Sequence, residues 1–176
     1  KGALISAAPS ILYAEDTDGD GRADQQQPLF TGFKEGNPQH RVNGFWLGLD
    51  NWLYLAGSES RQVACVRTGA QVELARSDCR IDPDRNKLEP ETGRSQFGRT
   101  RDDWGHWFGN SNSEPLYGFL WSGRYSGRNP FVPAPSAFVR LYDLNSPPPP
   151  VFPTSRTVDR FNDLYTENRY TSACSP

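Results

Sequence analysis

The chain has 176 residues, 35% of them hydrophobic and 12% aromatic, with 16 Gly and 15 Pro, and 19 Lys+Arg against 21 Asp+Glu for a net charge of -2. That is the length of one domain. Apolar runs such as Ala3-Leu4-Ile5 and Leu53-Tyr54-Leu55-Ala56 fall far short of the ~20 residues of a membrane-crossing helix, and a pI of about 5.7 with no dominant basic stripe argues against a nucleic-acid partner.

Taken in chain order, the periodicity predicts strands at Leu4–Ala7, Ile11–Glu15, Leu29–Phe33, Val42–Leu49, Leu53–Gly57, Gln62–Arg67, Val72–Leu74, Arg80–Asp82 and Lys87–Glu89. Gly, Pro, Asn and Asp punctuate them at roughly 8–12-residue intervals, the spacing of a sheet protein. Thr68-Gly69 and Asp84-Arg85-Asn86 read as hairpin turns. One short helix is expected at Val158–Tyr165, and Pro147–Pro150 reads as a polyproline-like excursion, because proline removes ladder donors. Asp50-Asn51-Trp52-Leu53-Tyr54 is echoed by Asp103-Trp104-Gly105-His106-Trp107, an offset of 53, and each has a glycine-bearing strand upstream. A repeat of roughly 40–50 residues holding four short strands predicts propeller blades. The fold expected is all-β: a partial β-propeller of about three to four four-stranded blades. Its divisions are 1–36 (the end of one blade), 37–94 and 95–144 (two blades), 145–157 (the proline-rich excursion) and 158–176 (the start of the next blade).

The densest chemical motif is Asp16-Thr17-Asp18-Gly19-Asp20-Gly21-Arg22-Ala23-Asp24. Carboxylates at alternate positions of a glycine-rich turn converge on a hard cation, so Asp16, Asp18, Asp20, Asp24 and the carbonyl of Arg22 are candidate Ca²⁺ ligands. An EF-hand would place a bidentate Glu at the twelfth position, which here is Gln27, and its flanks would be helices rather than strands. The expectation is therefore a structural calcium loop closing a β-hairpin. The three cysteines, Cys65, Cys79 and Cys174, lack metal-ligand spacing; Cys65 and Cys79 are either one disulfide or two small buried apolar residues.

A second informative stretch is Asn37-Pro38-Gln39-His40-Arg41-Val42-Asn43-Gly44, with one of only two histidines in the chain just before a strand. An imidazole there can accept a hydroxyl proton near neutral pH, and Arg41 can hold a developing anion. A lone histidine in a loop is more often a hydrogen-bonded structural residue, and His106, lodged between Trp104 and Trp107, more so still. Arg94, Arg99 and Arg101 read as a solvated face or a salt-bridged loop.

Ile11-Leu12-Tyr13-Ala14-Glu15-Asp16-Thr17-Asp18-Gly19-Asp20-Gly21, Leu29–Phe33, Asn37–Gly44, Ser95–Thr100, Asp103–Gly105, Arg160–Asp163 and Thr171–Cys174 closely resemble the corresponding strings of a family of bacterial membrane-bound dehydrogenases. The resemblance implies a six-bladed propeller similar to the soluble quinoprotein glucose dehydrogenases, often fused to a c-type haem domain. It implies pyrroloquinoline quinone as cofactor, oxidation of a sugar or other alcohol, and His40 as the base. Gln96, Arg99 and Asn110 become cofactor-binding candidates near the channel, while the Asp16–Asp24 loop is not equated with the catalytic calcium. This stretch carries no Cys-x-x-Cys-His, so no haem is expected in it. The chain reads as an excerpt that would have no turnover alone; its partners would be the remaining blades and the haem domain of the same parent chain. A periplasmic or other extracytoplasmic location follows from the calcium loop and the resemblance. The alternative is a non-catalytic, calcium-stabilised binding or scaffold module. A glycosidase using Asp102 and Asp103 is disfavoured, because adjacent residues on a strand point to opposite faces.

Overall fold

The nine apolar runs picked out in the sequence each become a strand, because β-branched and aromatic side chains fit a pleated, half-buried surface. They are β1 (Gly2–Ala7), β2 (Ser10–Glu15), β3 (Gln25–Thr31), β4 (Asn43–Leu47), β5 (Leu53–Ala56), β6 (Gln62–Cys65), β7 (Gln71–Glu73), β8 (Asp78–Asp82) and β9 (Lys87–Glu91). Beyond them lie β10 (Arg99–Arg101), β11 (Trp107–Ser111), β12 (Glu114–Phe119) and β13 (Phe138–Arg140). A 3-10 turn occupies Pro38–His40, and one short helix, α1, occupies Gly123–Ser126. The computed structural model describes residues 2–141 apart from Ser58, Ser113, Gly127, Pro130, Val132 and Ala134. The proline-rich excursion, the expected helix at 158–165 and Cys174 lie outside the described residues.

The strands form three antiparallel sheets, ordered β1-β2-β3-β6-β7, β4-β5-β8-β9 and β10-β11-β12-β13. The architecture is all-β, and the described residues do not close into a barrel or a propeller. The segment 37–94, expected as one blade, is divided between two sheets: the β6–β7 hairpin leaves its neighbours and pairs with β3 through Phe30↔Cys65 and Thr31↔Ala64. Both expected turns are present. Gly69, at φ 71, caps the β6–β7 hairpin, and Asn86, at φ 52, donates its N–H to the Pro83 carbonyl between β8 and β9.

The first two sheets share one apolar core. Ile11, Phe30, Val63 and Cys65 from the first meet Leu55, Cys79, Ile81 and Leu88 from the second, with Phe33, Val42 and Leu74 from the connections. Each such fully buried large side chain stabilises the fold by roughly 1.5–3 kcal/mol. Cys65 and Cys79 are free and buried, so the packing alternative holds, not the disulfide. Burial, and then the neighbouring Asp78, pushes the Cys79 thiol up, which keeps it inert.

The second and third sheets meet differently. Tyr54 stacks on Trp107 at 4.1 Å, and the Arg99 guanidinium lies over the rings of Phe119 at 4.2 Å and Trp107 at 5.2 Å. The same arginine reaches Asp78 at 3.4 Å with both side chains only 1% exposed. The first strands of these two sheets touch backbone to backbone, since a Cβ on Gly44 would stand 2.3 Å from Gly98 Cα.

The internal repeat is present with a corrected register. Gly44 and Gly98, Leu47 and Arg101, and the positive-φ turn residues Asn51 and Gly105 occupy matching places, each pair 54 positions apart. The turns match too: Gly48 N–H donates to Trp52 O, and Asp102 N–H to His106 O. The Asp/Trp echo at 53 is thus out of step by one, because the left-handed residue after each turn, not the aromatic one, sets the register.

Candidate functional site

Asn37-Pro38 builds the turn that carries His40. The Asn37 side chain accepts the Gln39 N–H at 3.1 Å, and proline supplies a preset φ at the first position. His40 Nδ1 lies 3.1 Å from Glu59 Oε1, and His40 Nε2 lies 3.3 Å from Gln96 Nε2. Gln96 is locked: its Oε1 accepts the Asn112 N–H at 2.9 Å, its carbonyl accepts Asn43 Nδ2 at 2.9 Å, and its N–H donates to Asn110 O. With that oxygen committed, Gln96 turns its amide N–H toward the imidazole. The network therefore assigns His40 as the Nδ1–H tautomer, donating to Glu59, with a basic lone pair on Nε2. Lys34, at 2.8 Å, and then His40 hold the Glu59 carboxyl below its usual range, so it is ionised at neutral pH.

The pair borders a cavity of about 200 Å³ also lined by Arg76, Asp78, Arg94, Ser95, Gln96 and Ser111. Asp78 accepts the Ser95 N–H at 2.8 Å and Ser95 Oγ at 2.7 Å beneath it. Burial pushes the Asp78 carboxyl up, and Arg99 and Ser95 pull it back. Non-glycine residues at positive φ number five among the described residues: Asn51, Glu59, Ala75, Arg76 and Asn86. Asparagine tolerates that region. Of the other three, Glu59 (φ 54) and Arg76 (φ 66) both line this cavity, and such strain concentrates at functional sites.

The sequence candidates separate. His40 and Gln96 come together. Arg41 turns away, its Nε donating to the Glu35 carbonyl at 2.9 Å, and does not line the cavity. Arg99 is buried under the sheet junction, and Asn110 is 1% exposed, with Oδ1 lacking a donor among the described residues. The Arg94, Arg99 and Arg101 cluster goes three ways: Arg94 to the cavity, Arg99 to Asp78, and Arg101 Nε to the Leu47 carbonyl. His106 donates and accepts outside this region, with Nδ1 at 2.7 Å from Asp102.

The Asp loop closes the β2–β3 hairpin where Glu15 pairs with Gln25. Asp16, Asp18 and Asp20 place ligand oxygens within 4.8 Å of one another. The backbone N–H groups of Gly21 and then Gly19 hold the Asp16 carboxyl below its usual range. Asp24 is engaged differently, accepting the Thr17 N–H at 3.0 Å and the Thr17 hydroxyl. Arg22 donates its N–H to Asp20 Oδ1 at 2.8 Å. The donor set of three convergent carboxylate oxygens suits a hard cation such as Ca²⁺.

The profile of the family described as Domain of unknown function (DUF7133) matches residues 1–176. The chain belongs to that family. Comparison with curated proteins and with solved structures finds no match. Membership of the DUF7133 family carries no activity with it. Sequence reasoning missed Glu59, Arg76, Asp78 and Ser95 as neighbours of His40. Glu59 lies 19 positions from its partner in a connection, and Arg76 occupies a turn without the Gly or Asn that marks such turns. No local signal marks either.

Proposed function

We propose that the chain is a segment of an extracytoplasmic, dehydrogenase-like protein in which His40 Nε2 accepts the hydroxyl proton of a sugar or other alcohol. The observation that carries the reading is the Glu59–His40–Gln96 series, with a carboxylate on Nδ1 and a neutral amide on Nε2. The carboxylate orients the ring and stabilises the imidazolium that forms, and a substrate hydroxyl would donate to Nε2 in place of the long 3.3 Å contact from the Gln96 amide, which has to turn out of the position in which Asn112 holds it. The proton then rests on His40, and the hydride on the carbinol carbon would have to pass to an acceptor such as a quinone held elsewhere in the intact protein. In this reading the two four-stranded sheets with touching first strands are neighbouring blades of a larger propeller. The resemblance in sequence and the 54-residue register support it.

The fit to pyrroloquinoline quinone is poor in this cavity. At about 200 Å³ it is smaller than the ~300–1,000 Å³ of usual cofactor pockets. Among the described residues no aromatic side chain lines it. The seat of a quinone would therefore be formed by other parts of the intact protein, as would any c-type haem. Among the described residues no helix is long and apolar enough to cross a membrane. The test is oxidation of sugars and simple alcohols by the intact protein supplied with quinone and Ca²⁺, followed by reduction of a dye. Absence of turnover over a broad panel would overturn the dehydrogenase reading.

One observation favours a second reading, a calcium-stabilised scaffold. Asp16, Asp18 and Asp20 converge at the exposed end of a hairpin and are not among the residues that line the His40 cavity, so Ca²⁺ there would be structural. A calcium-dependent rise in melting temperature in a protein with no turnover would select this reading.

A further inference from the structure

Arg94 stands where two hollows adjoin. Arg76 and Arg94 line the His40 cavity, and the same two residues, with Arg61, Glu73 and Ala75, line an open hollow beside it. Arg61, Arg76 and Arg94 are exposed, and none of the three guanidinium groups has an ion-pair or hydrogen-bond partner among the described residues. The acids of the His40 cavity are already engaged, Glu59 by Lys34 and His40, and Asp78 by Ser95 and Arg99. In the adjoining hollow one acid, Glu73, shares the lining with three arginines, so positive charge is in excess.

The backbone under Arg76 adds a second observation. Ala75 (φ 49) and Arg76 (φ 66) are the central residues of a β-turn closed by Ser77 N–H donating to Leu74 O at 2.8 Å. Positive φ at both central positions favours Asn-Gly, and an Ala-Arg pair there is strained. The turn thus holds a long cationic side chain at the cavity where glycine would be the relaxed choice.

We infer that Arg61, Arg76 and Arg94 form an oxyanion subsite that takes the carboxylate or sulfate group of an acidic sugar. Guanidinium forks match the planar or tetrahedral oxygens of such groups and pair with them through charge-assisted hydrogen bonds. Because Arg76 and Arg94 share a cavity with His40, the anionic group and the hydroxyl to be oxidised belong to one small molecule. The position of the hydroxyl rests on the proposed role of His40; the charge preference rests on the arginines alone.

The experiment is calorimetric titration of the intact protein with glucuronate, with glucose 6-sulfate and with glucose as the neutral control. At least one acidic sugar should bind about tenfold or more tightly than glucose, and the tighter of the two identifies the oxyanion. The Arg76→Gln, Arg94→Gln double variant should lose that preference, and His40→Gln should keep it. Arg76→Gly, which relaxes the turn and so secures folding, should also weaken the acidic sugar. Equal binding of glucose, a preference that survives the double variant, or no binding of either acidic sugar at millimolar concentration would overturn the subsite. An anion preference in a protein that oxidises nothing would keep the subsite and defeat the dehydrogenase reading.

Discussion

Replacing Arg99 with Met isolates the energetics of the junction on which the His40 cavity is built. The Arg99 and Asp78 side chains are each 1% exposed, and Asp78 also accepts both Ser95 donors, so water contributes little to solvating the carboxylate. Removing the guanidinium leaves a buried charge uncompensated, a loss of about 3–5 kcal/mol. The stacking over Phe119 at 4.2 Å and Trp107 at 5.2 Å goes with it. A domain is stable by only ~5–15 kcal/mol, so the effect is large. Arg99→Lys keeps the charge but not the planar fork that also donates to the Thr92 carbonyl at 2.8 Å, and should fall between. In Asp78→Asn with Arg99→Met neither charge remains, and Arg99 Nε, which lacks an acceptor among the described residues, is gone as well. The double variant should therefore be less destabilised than the sum of the singles by about 1–3 kcal/mol. Urea unfolding followed by tryptophan fluorescence measures the wild type and the four variants, the Asp78→Asn single included. Additive single effects, or an Arg99→Met loss below about 0.5 kcal/mol, would refute the buried-pair account.

Other outcomes follow from the same structure. Gly44→Ala puts a Cβ at 2.3 Å from Gly98 Cα at a residue with φ 69; it should destabilise by at least ~1–2 kcal/mol, and a thermal melt unchanged from wild type would contradict the backbone contact between the sheets. Ca²⁺ at a hundredfold excess over its Kd should stabilise the protein by about 2.7 kcal/mol, an effect absent from Asp18→Ala with Asp20→Ala; no calcium-dependent shift in the wild type would remove the metal. Without calcium, the Asp16 carboxyl should titrate below its ordinary 3.8. A depressed folded pKa means that its stabilisation is present above 3.8 and is lost as pH falls through the folded value; a carbon-13 titration at or above 3.8 would show that the Gly19 and Gly21 N–H groups do not hold it.

How much of this was legible in the sequence depended on how local the cause was. Strands such as β2 and β5 announce themselves through apolar and β-branched runs, whereas β8, Asp78-Cys79-Arg80-Ile81-Asp82, is mostly charged and only its end was read. β10 does not, because Arg99-Thr100-Arg101 has no apolar member, and β12 is broken up by Pro115 and Gly118. The start of β3 was hidden by Gln25-Gln26-Gln27-Pro28, a polar stretch whose side chains remain exposed; the register shifts opposite Pro28, which has no N–H to give. The transfer of β6–β7 to the first sheet is a non-local pairing, invisible to any window reading. The Asp loop was legible as a hairpin closure, since its alternating acids and glycines specify their own turn; the engagement of Asp24 by Thr17 was not. At the cavity, the sequence pointed to His40 and Gln96, but Glu59 and Arg76 arrive through strained backbone conformations that no residue type there advertises. Arg41, attractive by adjacency, is drawn off by the Glu35 carbonyl.

The proposed role of His40 is tested most directly by comparing kcat of the intact protein and its His40→Gln variant in quinone-supplemented, dye-coupled oxidation of the best sugar or alcohol. Loss of the general base should lower kcat by roughly 10²–10⁴-fold, while the calcium-dependent melting shift, which depends on Asp16, Asp18 and Asp20, stays as in the wild type. An unchanged kcat in His40→Gln would take the imidazole out of the chemistry and contradict the account.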